Sequence, residues 1–432
     1  MKLKSWGNYP IIEGETHRFD SVHQLEKILS APENIIPYGN GRSYGDSALS
    51  REQILVKPYH YFLSFDEING VLRCQAGTLL ADILESFVPR GWFLFVTPGT
   101  RFITVGGAIA SDVHGKNHHV AGTFSDHIIE FTIMLPDGET VICSHDNNIE
   151  LFRATCGGMG LTGVILEATI QLQPISSALI SQTTIKTANL KETFDAFEHY
   201  GDSTYSVAWI DCLTRGEALG RCLLFTGEHS EHGSLAYESR IKIDIPVPFP
   251  GPTLNHYSIK AFNAIYYHKV TSAISSQQVD LNSFFYPLDA IGHWNRIYGK
   301  QGFLQYQFVL PKKASYEGLK QILSHIAASG KGSFLAVLKL FGKANSNYLS
   351  FPMEGYTLAL DFKIESGIFE LLDQLDEIVV EFGGRFYLAK DARVSQRIFE
   401  TGYPAIEKFR DIRKTLHATE KFNSIQSKRV GI

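Results

Sequence analysis

Residues 97–119, TPGTRFITVGGAIASDVHGKNHH, govern how this chain reads. Four glycines, a run of small residues and three histidines share one largely apolar segment that a Thr-Pro pair opens. Glycine loses the most backbone entropy on folding and has no side chain to pack, so a packing strand or helix would not be built this way. Such a density of small residues lets the backbone approach something large and flat and bring polar groups to it. The segment reads as the wall of a cofactor site.

Two more glycine-rich stretches flank it. PYGNGRSYGDS (37–47) holds G-x-G, but Tyr44 stands where the dinucleotide fingerprint needs its third glycine, and the pattern that follows is a strand rather than a helix. That disfavours a Rossmann domain. What remains is either an ordinary surface turn or a tight loop whose consecutive N–H groups form a concavity for pyrophosphate. ATCGGMGLTGVILEATI (154–170) places four glycines within seven residues before a buried-looking strand. Each stretch alone is turn punctuation. All three together, in the first 170 residues, suggest a long cofactor laid along backbone.

Composition narrows the class. A chain of 432 residues exceeds one comfortable core, so two domains are expected. With 44% hydrophobic and 20% charged residues it reads as an ordinary soluble protein, and a net charge of −5 offers no basic field for nucleic acid. MKLKSWGNYPIIEGET lacks the apolar region of a signal peptide, and no run approaches the ~18 apolar residues of a membrane span, so the expected location is the cytoplasm. Cys74, Cys143, Cys156, Cys212 and Cys222 are odd in number and scattered without CxxC spacing, which speaks against a disulfide framework or a zinc site.

Along the chain, the first third reads as short strands and turns. These are 34–39, 53–58, a hairpin over 61–66 and 71–77, and a second hairpin around Pro136-Asp137-Gly138. A helix is expected over 78–92, and an alternating strand runs to Pro174. Character changes near residue 175, where longer strands and helices begin. Glycines return at 383 after a helix over 372–382, and a charged helical stretch runs to about residue 418. The prolines of IPVPFPGP (245–252) exclude a central strand and predict an extended, mobile loop.

GNGRSYGD, PGTRFITVGGAIASDVHGKNHH, GGMGLTG, the FLQYQF/LKLFG pair and GGRFYLAKD, in that order, resemble the FAD-dependent oxidases of the vanillyl-alcohol-oxidase superfamily. Within it, the likeness is greatest to the branch of decaprenylphosphoryl-β-D-ribose 2′-oxidases. The resemblance implies an α+β, two-domain, PCMH-type FAD-binding fold with an inserted antiparallel-sheet substrate domain. Residues 1–177 and 383–432 would form the FAD-binding domain and 178–382 the substrate-binding domain. By the same likeness, Gly39, Asn40, Gly41, Arg42, Ser43, Tyr44, Gly45, Asp46 and Ser47 would form the pyrophosphate loop. Gly99, Thr104, Val105, Gly106, Gly107, Ser111, Asp112, Val113 and His114 would line the flavin, joined by Val164 and Tyr387. Many relatives tether the ring through a histidine on a glycine loop. Tyr44 holds that place here, so FAD is expected to be non-covalent, with His114 the remaining attachment candidate.

The implied chemistry is hydride removal from a carbinol carbon with loss of the hydroxyl proton. Lys390, Tyr44 and His114 are the catalytic candidates. Lys390 matches the family's essential pocket lysine, although on its own it reads as an exposed lysine paired with Asp391. His114 is a proton acceptor or a holder of substrate phosphate. His114, His118 and His119 have metal-like spacing, but Gly115 and Asn117 oppose the helix it needs, so no metal is expected. Gln305 and Gln307 share one face of an alternating strand. Lys339, alone amid Val, Leu and Phe, either snorkels to water or meets an anion such as a phosphate. Lys116 and Phe285 complete the implied pocket, with Tyr286 and Tyr298 as apolar lining or core. Ala359 stands where mycobacterial members carry a pocket cysteine, and Thr357 replaces another polar group.

The implied substrate is a polyprenylphosphoryl-β-D-ribose oxidised at its 2′-hydroxyl. An NAD(P)H-dependent short-chain reductase would complete epimerisation to the arabinose form. The alternatives are an aldonolactone- or alditol-type oxidase of free sugars, and a flavin-binding scaffold without turnover. IPVPFPGP with the aromatic segment YSIKAFNAIYYHKV (257–270) reads either as a cover over the site or as peripheral contact of residues 245–268 with the inner face of the plasma membrane.

Overall fold

A computed structural model describes residues 1–30, 34–239 and 241–432. It mixes helices and sheets, consistent with the α+β class. Strands Glu15–Arg18, Glu52–Leu55 and Ile35–Tyr38 form a small parallel sheet, with the loop 39–47 leaving the end of the last. A larger antiparallel sheet follows, built around Val164–Pro174. On one side this strand pairs Val71–Gln75, whose hairpin partner is Phe62–Asp66; on the other it pairs Ile128–Met134, joined through Pro-Asp-Gly to Thr140–Ser144. The expected helix forms at Leu80–Phe87 and ends at Gly91, whose φ of 82° is a left-handed stop that glycine adopts without strain.

One expectation is overturned. Val105–Ala110, inside the opening segment, is a helix that buries Val105, Ala108 and Ile109. Thr104 caps it, its Oγ1 accepting from the Gly107 N–H at 3.1 Å. The helix's packing makes use of one glycine: a Cβ on Gly106 would meet the Ala76 Cβ at 3.0 Å.

The middle of the chain builds an eight-stranded sheet, antiparallel throughout. Its order is Ile274–Asp280, Leu179–Thr187, Cys222–His229, Tyr205–Ile210, Ala336–Phe341, Gly355–Lys363, Phe303–Pro311 and Arg385–Phe386. The last, short strand comes from beyond residue 383, so the tail completes this sheet. Alternation gives the sheet two unlike faces. Leu338, Leu358, Leu360 and Phe308 pack with Leu319 and Ile322 of helix Ser315–Ser329 and Leu375 of helix Ile368–Glu381. The intervening residues Lys339, Thr357, Ala359 and Gln307 face a cavity.

The tail closes the fold against the first glycine loop. Arg429 donates to Asp46 Oδ1 at 2.7 Å and Asp391 Oδ2 at 2.8 Å. The Tyr44 N–H donates to the Ala389 carbonyl at 3.0 Å. Gly45 is required by that approach, since a Cβ there would lie 1.7 Å from the Asp391 carbonyl oxygen.

Candidate active site

A cavity of about 1160 Å³ lies between the glycine loops and the open face of the long sheet. That exceeds what one drug-sized ligand fills, roughly 300–1,000 Å³. Gly39, Asn40, Gly41, Arg42, Ser43, Tyr44, Gly45 and Ser47 line it, as do Gly99, Thr104, Gly106, Gly107, Ser111, Val113, His114 and Tyr387. Lys116, Phe285, Gln305, Gln307, Lys339, Ala359 and Lys390 complete the wall. The chain's two distant parts therefore meet on one space.

Four expected cofactor residues do not reach it. Val105 and Val164 are fully buried in the core of the first sheet. Asp46 is held by Arg429 beneath the glycine loop. Asp112 is an anchor: its carboxylate accepts from Asn345, Asn347 and Ser350 at 2.6–3.0 Å and so fastens the 345–350 loop. Tyr298 is likewise not a wall residue; it stacks on Phe303 at 4.2 Å. Nor is Lys390 paired with Asp391, which belongs to Arg429.

Cross-strand register assembles the sheet side of the site. Lys339 pairs with Thr357, Gln307 with Ala359 and Gln305 with Asp361. Asp361 is the residue that sequence reading missed. It accepts from the Gln305 side chain at 2.6 Å and from the Tyr298 hydroxyl at 3.3 Å. The one available signal was its place two residues beyond Ala359 on an apolar strand. Burial raises its carboxyl above the ordinary range, and burial lowers Lys390, which Asp361 partly restores. Lys390 Nζ lies 3.7 Å from the centroid of the Tyr44 ring.

Lys339 is pushed down to about 8 by burial, and Lys116 to about 7 by burial and then by Lys339. Among the described residues, no carboxylate lies within 4.0 Å of Lys116, Lys339 or Lys390. Lys116 instead donates to the Phe284 carbonyl. Lys116 and Lys339, sharing one cavity without ion-pair partners, make a site for an anion.

His114 is neutral. Thr357 gives its hydroxyl proton to the Phe308 carbonyl at 2.8 Å, so its oxygen accepts from the Gln307 amide at 3.3 Å. The same NH₂ group faces His114 Nε2 at 3.2 Å, which therefore accepts and leaves the ring proton on Nδ1. Burial, then Lys339, His118 and Lys390, hold its pKa well below the ordinary value. At the other end, the Arg42 guanidinium sits 4.1 Å over the Trp6 ring with Nε buried and unpartnered. A Cβ on Gly99 would meet nothing within 4 Å.

A dinucleotide's demands fit this wall: an unpaired arginine by a backbone loop for the pyrophosphate, and an open shelf of small residues for a flat ring system. Comparison with known proteins agrees. Residues 18–144 match the model of an FAD binding domain. Decaprenylphosphoryl-β-D-ribose oxidase of Mycolicibacterium smegmatis is 36% identical over 100% of this chain and 97% of its own length. The chain belongs to the decaprenylphosphoryl-β-D-ribose oxidase family. L-Gulonolactone oxidase of Mus musculus is more distantly similar, 26% identical over 93% of this chain and 91% of its own. As a member of this family the chain is an FAD-dependent oxidoreductase, and FAD is the cofactor that the cavity accommodates.

Proposed function

We propose that the protein oxidises the 2′-hydroxyl of a polyprenylphosphoryl-β-D-ribose to the 2′-keto sugar, the first half of an epimerisation to the arabinose form. The single observation that carries this reading is the pair Lys116 and Lys339, without carboxylate partners, beside the glycine-rich wall. A free lactone or alditol gives such lysines nothing to neutralise, whereas a sugar phosphodiester does. In this reading residues 178–382 form the substrate-binding domain, and residues 1–177 with 383–432 hold FAD without a covalent link, Tyr44 offering no imidazole. Gly39–Gly45 with Arg42 take the pyrophosphate, while Gly99, Thr104, Ser111, Val113, His114 and Tyr387 take the ring system.

When bound, FAD supplies the hydride acceptor. Lys339 and Lys116 hold the phosphate and so fix the ribose. Lys390, which burial shifts toward its neutral form, takes the hydroxyl proton on Nζ as the C2′ hydride leaves, and the C2′–O bond becomes a carbonyl. Asp361 stabilises the ammonium so formed. His114 is the weaker base, because Gln307 occupies its Nε2 lone pair and burial opposes an imidazolium; it orients the sugar instead. Lys390→Ala should keep a yellow protein yet lose substrate-dependent bleaching by roughly 10²–10⁴-fold in rate. Anaerobic titration with polyprenylphosphoryl-β-D-ribose should bleach the wild type, and its 2′-deoxy analogue should not. Bleaching by L-gulonolactone alone would favour the free-sugar alternative, and none by any sugar would favour a scaffold.

The 2′-keto product calls for a reductase, for which an NAD(P)H-dependent short-chain enzyme is the proposed partner. Among the described residues no helix is long and apolar enough to cross a membrane. Val247, Tyr257 and Ile265 are well exposed, which supports peripheral contact of residues 245–268 with the inner face of the plasma membrane from the cytoplasm. Vesicle pelleting that is unchanged when this segment is deleted would remove that part of the reading.

A further inference from the structure

The cavity does not end at the lysines. Beyond Lys339 the same sheet face turns apolar: Val337 lies two residues away on the same strand, the next strand presents Val207 and Trp209, and the one after it presents Phe225. The indole N–H of Trp209 is satisfied by the Phe334 carbonyl at 3.0 Å, so its ring stands on the wall with no polar group left to place.

Helix His256–His268 roofs this stretch. Two bonds pin it: Asn263 Nδ2 donates to Asp211 Oδ1 at 2.9 Å, and the Tyr267 hydroxyl donates to the Thr187 carbonyl at 3.0 Å. Phe262 and Tyr266, on that helix, also line the cavity, with Tyr266 4.8 Å from the Trp209 ring and Phe262 5.4 Å from Phe334. The mobile loop expected from sequence is thus followed by a fixed lid.

From the Lys339 strand to the Phe225 strand are two inter-strand spacings, about 10 Å. An extended chain advancing roughly 1.2 Å per bond covers that distance in about eight bonds, the length of two isoprene units. We infer that this roofed apolar arm holds the first two isoprene units of the substrate's lipid, with its phosphate between Lys339 and Lys116. The inference rests on the proposed function. Phe262 and Tyr266 above and Val207, Trp209 and Phe225 below offer a slender apolar chain contact on both sides. The arm is also continuous with the part of the cavity where Lys339 and Lys116 can hold the phosphate that such a chain carries.

The test is a chain-length series of β-D-ribosyl phosphate esters: methyl, prenyl, geranyl and farnesyl. The readout is kcat/KM from bleaching of the bound cofactor. Because several methylene groups become buried, kcat/KM should rise at least about tenfold from methyl to geranyl. It should change less than about twofold from geranyl to farnesyl, whose third unit passes the arm. Phe262→Asp, a half-exposed helix position, should collapse the geranyl-to-methyl ratio to below about threefold. A wild-type ratio near one, or one that Phe262→Asp leaves unchanged, overturns the inference while the proposed function stands. If no ester of any length bleaches the protein, both fall together.

Discussion

Arg429→Met tests whether the tail holds the site together by charge. In the wild type one guanidinium meets two buried carboxylates, Asp46 at 2.7 Å and Asp391 at 2.8 Å, and also donates to the Val394 carbonyl. Breaking a buried pair from one side costs about 3–5 kcal/mol, because the abandoned charge stays buried. Two abandoned carboxylates place the expected loss at the upper part of that range at pH 7. With an urea slope of about 3 kcal/mol/M or more for a chain of this size, the midpoint should fall by roughly 1 M. The pH dependence follows from the acids. Arg429 holds Asp391 below its ordinary value, so in the wild type its contribution is present above that value and fades only as pH falls through the lowered one. Asp46 already sits above its ordinary value from burial, Arg429 opposing that rise. In the variant both titrate higher than in the wild type, and the penalty shrinks as protons are taken up. Urea unfolding followed by tryptophan emission should therefore show a smaller difference between variant and wild type at pH 5 than at pH 7. A shift under about 0.3 M at pH 7, or an equal shift at both pH values, would mean that packing alone holds the tail.

Three further outcomes follow from the cavity and the residues behind it. Asp361→Asn removes the charge that supports protonated Lys390, so the limb of the kcat/KM–pH profile that belongs to this lysine should move to lower pH by about one unit or more; an unmoved limb uncouples the pair. Lys339→Met should raise KM for a phosphoribosyl ester by roughly 30-fold or more with a smaller change in kcat; equal KM values would take the phosphate elsewhere. All five cysteines are buried and none lines the cavity, so thiol-directed electrophiles should leave activity intact, whereas Ala359→Cys should yield a single adduct by intact-mass measurement. Inactivation of the wild type by such reagents, or no adduct on the variant, refutes that placement.

What the sequence made readable was local. The Pro-Asp-Gly hairpin, the Gly91 stop and the alternation of QYQF depend on neighbours a few residues apart, and each stands in the structure as its pattern implies. What it hid depended on distance. Asp361 in LALDF looks like any outward-facing acid until the register sets it opposite Gln305, 56 residues away. Lys390 and Asp391 look like a surface pair until Arg429 arrives from 38 residues downstream to take the acid. The glycines mislead in a more physical way. Gly45 and Gly106 do line the cavity, yet what crowds a side chain at each is protein, while Gly99 borders open space.

The two faces of the long sheet explain how a site of this kind can change its substrate without losing its fold. On strand Gly355–Lys363, Leu358 and Leu360 are fully buried in the core, while Thr357, Ala359 and Asp361 alternate with them on the opposite side. A substitution at Ala359 therefore leaves the core's apolar contacts untouched and acts only on what occupies the cavity. Thr357 is more constrained, because its hydroxyl both donates to Phe308 and accepts from Gln307, and Gln307 in turn fixes the tautomer of His114. Replacing it by a residue of equal size without the hydroxyl would free the Gln307 amide, and with it the proton position on His114. Specificity and proton handling are thus coupled through one side chain at 357 and separable at 359. That difference follows from hydrogen-bond valence and not from distance to the substrate.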